Sequence, residues 1–147
     1  MFCKGDKVVY PMYGAGVIED LEELGSAWYY VINILVQSLQ IKVSVEKAET
    51  CGIRPVYPKE EITGILLSGR CGEEPENRRY MERIKSGLLP EIFAVFRDLS
   101  QKERGKVLSG AEKKMLTTAK QIIVSEIAVS HNIEKNAAEE ILLGAIG

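Results

Sequence analysis

Histidine, cysteine and tryptophan are scarce in this chain, and each scarcity removes a class of chemistry. His131 is the only histidine, and the three cysteines, Cys3, Cys51 and Cys71, are isolated and show no C-x-x-C spacing. A zinc site would need ligands the chain does not group together, so no metal and no cofactor is expected, and the thiols read as reduced and inert. No apolar run is long enough to cross a bilayer, and the N-terminus has no basic region followed by an apolar one. No membrane association is expected, and a cytoplasmic location follows. Acidic pairs such as Glu22-Glu23, Glu60-Glu61 and Glu139-Glu140 are adjacent, so neither helix nor strand geometry makes their carboxylates converge. Gly14-Ala15-Gly16 lacks the third glycine of a dinucleotide loop, and no lysine follows a glycine run as in a phosphate-binding loop. His131 falls at a predicted helix end, where a surface or capping role is expected. The expectation is a protein without enzymatic activity.

What the chain does have is the composition of a globular protein. Its 147 residues are 27% charged and 46% apolar, enough for one ordinary domain or two small ones. A net charge of −2 hides an asymmetry. Residues 1–54 hold 5 Lys/Arg against 7 Asp/Glu, whereas residues 78–120 hold 11 against 5. Such a basic stretch suits a polyanion, although a solvated helical surface produces the same pattern.

Lys7-Val8-Val9-Tyr10 predicts a short strand that Pro11 ends, since proline has no N–H for a ladder. Tyr13-Gly14-Ala15-Gly16 predicts a tight reversal, its two glycines free to take positive φ, and Val17 to Leu24 a second strand turning acidic along its length. Trp28 to Leu35 gives the strongest β signal. Leu39, Ile41, Val43 and Val45 then alternate with Gln40, Lys42 and Ser44. Arg54-Pro55-Val56 reads as a short closing strand. Four or five short strands within about 55 residues imply a small SH3-like or Tudor-like barrel. Trp28, lying within it, is expected in the core.

Helical periodicity takes over after Pro58. Helices are predicted at Lys59 to Ser68, Arg78 to Ser86, and Pro90 to about Gln101, with Cys71 to Asn77 as linker. Lys102 to Lys106 reads as a charged connection. Ser109-Gly110-Ala111-Glu112 is a capping box that opens the longest helix, which His131-Asn132 ends. Lys113, Thr117 and Lys120 line one side of it. A last helix runs from Glu134 to about Ala145. The fold class is α+β: a β-barrel over residues 1–55 followed by an α-helical bundle over 56–147.

GDKVVYPMYGAGVIED resembles the opening of the CarD/CdnL family of bacterial RNA polymerase-binding transcription regulators, whose usual run is G-D-x-V-V-Y-P-x-H-G-x-G. Tyr13 stands at the family's histidine. Gly52-Ile53-Arg54 is similar to the family's barrel ending. Arg97-Asp98-Leu99, Lys102-Glu103-Arg104-Gly105, Leu108 through Leu116, and Ala119 through Glu126 are similar to its helical domain in order and spacing. The similarity spans residues 2 to about 128.

The resemblance implies a barrel that holds the polymerase β subunit and a helical domain that contacts promoter DNA, mainly at phosphate. Lys42 and Gln40 are the implied polymerase-binding residues. Arg78, Arg79, Tyr80, Lys113, Lys114 and Lys120 are the implied DNA-binding ones. The family's tryptophan wedge, near the R-R-Y run, is missing: Glu76-Asn77 precede Arg78-Arg79-Tyr80, and Tyr80 is the one aromatic ring that could replace it. Two other functions stay open. One is a polymerase-binding adaptor or competitor without a DNA wedge. The other is a small-barrel RNA-binding protein stacking bases on Tyr10, Tyr13 and Tyr29, which the acidic first module disfavours.

Overall fold

The computed structural model describes residues 2–34, 37–68 and 80–146. Five antiparallel strands, β1 (Lys7–Tyr10), β2 (Gly14–Leu24), β3 (Ala27–Ile34), β4 (Leu39–Ser44) and β5 (Arg54–Pro55), form one sheet in the order β4-β3-β2-β1-β5. Helix α1 (Val45–Ala48), which the alternation of Leu39 to Val45 did not announce, bridges β4 and β5. Five helices follow or complete the chain: α2 (Lys59–Ser68), α3 (Tyr80–Lys85), α4 (Leu89–Gly105), α5 (Gly110–His131) and α6 (Lys135–Ile146). The α+β class, a Tudor-like sheet followed by helices, is what the strand and helix periodicities predict.

The sheet buries one face around Val8, Ile18, Tyr30, Ile32, Ile34 and Val43, with Ala48 of α1 and Ile53 closing the open side. Each such aliphatic side chain contributes roughly 1.5–3 kcal/mol on burial. Two expectations fail here. The first reversal is made by Pro11, Met12 and Tyr13, with Met12 at φ 73 and the Tyr13 amide donating to the Tyr10 carbonyl at 3.0 Å. Gly14 and Gly16 belong instead to β2, opposite Tyr10 and Val8. Gly16 is required by close approach, since a Cβ there would strike the Asn33 carbonyl of β3. Trp28 is 51% exposed and not core, because it pairs with Glu23 at the far end of the β2–β3 hairpin, beyond the reach of the barrel interior.

A second core unites the helices around Ile62, Ile84, Ile92, Phe93, Phe96, Leu99, Ile123, Ile127 and Leu142. The capping box of α5 is present: Glu112 N–H donates to Ser109 Oγ at 3.1 Å, and Ser109 N–H donates to Glu112 Oε1 at 3.0 Å. Helix α4 runs on through the stretch predicted as a connection. Its last turn finds partners, Lys102 on the Glu112 carboxylate of α5 and Arg104 Nη2 on the Ile146 carbonyl of α6 at 3.1 Å. Basic residues there also suit the negative end of the helix dipole. Asn132, in the left-handed region at φ 56, ends α5.

The C-terminal half of α5 lies on the other face of β1 and β2. Val129 packs between Val9 and Ala15, with Val17 and Val56 beside them. Ser125 Oγ accepts the Ala15 amide at 2.8 Å and donates to the Ile122 carbonyl at 2.6 Å. Gly14 makes room for this approach.

Candidate binding faces

Alternation along β4 turns Leu39, Ile41 and Val43 toward the core and leaves Gln40, Lys42 and Ser44 on the outer face. Opposite them on β3 stand Asn33, Val31 and Tyr29. The β1–β2 part of that same outer face is covered by α5, through Val9, Ala15 and Val17. The β3–β4 part lies outside that cover, with Val31 buried and Gln40 and Lys42 exposed, and it carries both polymerase-binding candidates.

On this strip Lys42 Nζ meets Glu22 Oε2 at 2.9 Å, and Gln40 Nε2 donates to Glu19 Oε2 at 3.1 Å. Lys42 and Glu22 are both well exposed, so their pairing contributes at most about 1 kcal/mol and a partner can exchange for it cheaply. Leu24, 50% exposed, and half-buried Tyr29 extend the strip toward the hairpin end. Leu24 was not legible in the sequence, where an aliphatic residue ending an acidic strand reads as core. A register shift between Ile18 and Asp20 turns it outward, and no local signal marks that bulge.

The DNA-binding candidates divide. Lys113 and Lys114 are exposed in the first turns of α5, beyond the capping box. Lys120, two turns on, shares the Lys113 side but binds Glu139 Oε1 of α6 at 2.6 Å. That hydrogen bond from Lys120 holds the Glu139 carboxyl below its ordinary value. Lys85 and Lys106 are also exposed. Arg78 and Arg79 lie outside the described residues. Tyr80 is brought elsewhere: only 3% exposed, its ring sits in the helical core, and burial raises its phenol pKa. Tyr10 and Tyr13 meet edge to face at 5.2 Å, not as a flat stacking platform.

Arg54 was noted in the sequence only as part of a strand ending. In the fold it is a hub. Its Nη1 and Nη2 donate to Glu126 Oε2 and Oε1 at 2.8 and 2.7 Å, and Nε donates to the Gly87 carbonyl at 2.7 Å. Glu126 is fully buried. Sequence spacing gives no sign that residues 72 apart form a fork.

Among the described residues no His, Cys, Asp and Glu side chains group so as to hold a metal ion. No described helix is long and apolar enough to cross a membrane.

Two family models match the chain: the CarD-like/TRCF RID domain over residues 2–57, and the CarD C-terminal domain over residues 72–143. A Bacillus subtilis (strain 168) protein named "Putative transcription factor YdeB" is 35% identical over 144 residues, covering 90% of this chain and 94% of that protein. Sheet, helices and both matched segments follow one another in the same order along the chain. The chain belongs to the CarD family of transcription factors, and its role is a transcription-related one involving interaction with RNA polymerase.

Proposed function

We propose that this chain is a cytoplasmic bacterial regulator that holds the polymerase β subunit through the open β3–β4 strip and approaches promoter DNA through the basic half of α5, modulating open-complex formation. Residues 1–55 form the polymerase-binding unit and residues 56–147 the DNA-contacting one. The observation that carries this reading is the division of the outer sheet face. Helix α5 covers β1 and β2 and leaves Lys42, Gln40, Tyr29 and Leu24 available. A weakly paired lysine beside an exposed aliphatic side chain suits a mixed polar and apolar protein surface. Lys113 and Lys114, with Lys120, Arg78 and Arg79, supply phosphate contacts that orient the duplex without reading its sequence.

Lys42→Glu places a like charge beside Glu22 and removes the cation. It is expected to weaken binding to isolated β subunit about tenfold or more while leaving the fold intact, since the site is exposed. Unchanged affinity in that titration removes Lys42 from the interface. Lys113→Ala combined with Lys114→Ala is expected to lower the slope of log affinity against log salt by about 2, equally on all promoters. A wild-type complex with no salt-dependent promoter contribution excludes the DNA contact.

The burial of Tyr80 favours a second reading, a polymerase-bound adaptor or competitor with no wedge at the melted junction. For Tyr80 to stack on a base it would have to leave the helical core. On this reading the chain binds β subunit as before, and open-complex lifetime is the same with and without it.

A further inference from the structure

We propose that Arg54 is a positioning residue: its fork on Glu126 fixes the angle between sheet and α5, so that a barrel held on polymerase presents the basic half of α5 in one place. This inference builds on the binding reading above. One guanidinium joins three segments: α5, the loop ahead of α4, and its own β5 with the connection that follows it. Besides Glu126 of α5 and the Gly87 carbonyl ahead of α4, it donates to the Pro55 carbonyl at 3.0 Å and lies over the Tyr57 ring at 4.7 Å from its centre. Glu126 in turn accepts the Tyr57 amide at 2.9 Å. The guanidinium therefore uses every nitrogen, and both carboxylate oxygens are engaged.

Such a pair is poorly explained by stability alone, because desolvating two charges offsets most of their attraction. Its directional demands are what an apolar contact would not supply. A slid or rotated α5 leaves a fully buried carboxylate without its donors, so neighbouring angles are penalised. Of the seam's other contacts, those of Val129 with Val9 and Ala15 are small and aliphatic and tolerate sliding. The Ala15 amide on Ser125 Oγ is a single hydrogen bond between neutral groups, which penalises a changed angle less than a stranded charge does. Ser130 Oγ, donating to the Tyr57 carbonyl at 2.7 Å, holds the connection that carries the fork. Lysine at position 54 keeps the charge but has one nitrogen and no plane, so it cannot span Glu126 and Gly87 together.

The test labels the full chain for pulsed electron–electron distance measurement at two exposed sites, Lys47→Cys on α1 and Gln101→Cys on α4, with Cys3, Cys51 and Cys71 each changed to Ser. The parent should give one narrow distance distribution. Arg54→Lys should broaden it at least about twofold while the chain stays folded, because each half retains its own core. Unlabelled Arg54→Lys should bind isolated β subunit within about threefold of wild type, since Lys42 on β4 and Arg54 on β5 stand at opposite ends of the strand order. Its effect on open-complex lifetime should fall about tenfold if only a tenth of the molecules hold the competent angle. A narrow distribution in folded Arg54→Lys overturns the proposal. Should Arg54→Lys fail to fold, Glu126→Gln, nearly isosteric and able to keep the Tyr57 amide, carries the same measurement. Unfolding of both assigns the fork to stability and also overturns it. A wild-type chain with no affinity for β subunit defeats the binding reading, while broadened distances still establish Arg54 as the lock between sheet and helices.

Discussion

Gly14 stands at φ +110, and a Cβ built on it would lie 2.5 Å from Ser125 Oγ, the atom that also receives the Ala15 amide. Two penalties therefore coincide at one residue, a backbone region that side chains rarely adopt and a collision across a tight seam. Gly14→Ala is expected to cost about 2–5 kcal/mol, read as a fall in the urea midpoint. Gly25→Ala is the control: its φ is +66 but nothing lies within 4 Å, so the backbone penalty of about 1 kcal/mol should stand alone. Equal shifts for the two variants would show that α5 does not press on β2. The sequence identified Gly14 and its positive φ, but not the contact that makes it indispensable. Two glycines after a proline look like a turn, and the partner that demands the first lies on a helix over a hundred residues away. Tyr80 has the same history. An aromatic ring beside two arginines suggests stacking, and only the packing of α3, through Tyr80 and Ile84, into the helical core reveals that the ring is covered.

Elements with a complete local signal were legible. The capping box announced the start of α5, and the alternation in β4 set Lys42 and Gln40 outward before any tertiary contact was known. Elements whose limits depend on distant partners were not. Helix α4 outlasts its apolar stripe because Lys102 and Arg104 reach α5 and α6, a reason absent from residues 102–105 themselves. The meeting of α5 with α2 was equally hidden, and it is testable through pH. His131, last in α5, has its Nδ1 buried without a hydrogen-bond partner. Its pKa is lowered from the ordinary 6.5, first by burial and then by Lys59 at the start of α2, with Glu60 opposing. A base whose folded pKa lies below its unfolded one binds protons preferentially when unfolded. Its neutral form therefore favours the fold, and stability declines as pH falls through the unfolded value toward the folded one. Melting temperature should drop as pH falls through the ordinary histidine value of 6.5. His131→Gln should flatten that drop, and since the chain has no other histidine the comparison is clean. An identical slope in the variant would exclude His131 as its source.

At the scale of the molecule, one helix serves two cores. The inner side of α5, through Ile122, Ile123 and Ile127, completes the helical cluster, while Val129 and Ser125 close the outer face of β1 and β2. The sequence divides after Pro55, where strand character gives way to helix, and periodicity says nothing of how tightly the two parts join. Their joining predicts thermal behaviour. If α5 cannot leave the sheet without exposing Val129, Val9 and Ala15 and stranding Glu126, then sheet and helices should unfold together. Calorimetry should give one transition with equal calorimetric and van't Hoff enthalpies. Val129→Asp sets a carboxylate into that apolar seam, at a cost of about 3 kcal/mol or more. The cost falls on the contact between the parts and not on either core, since Ile18, Ile32 and Ile34 on one side and Phe93, Leu99 and Ile123 on the other are untouched. The variant should therefore melt in two steps, with a calorimetric enthalpy exceeding the van't Hoff value of either. A single transition merely shifted downward would mean that the two cores depend on each other beyond this seam. Two transitions in the wild type would mean that α5 parts from the sheet before either core melts, which the buried Arg54–Glu126 fork should prevent.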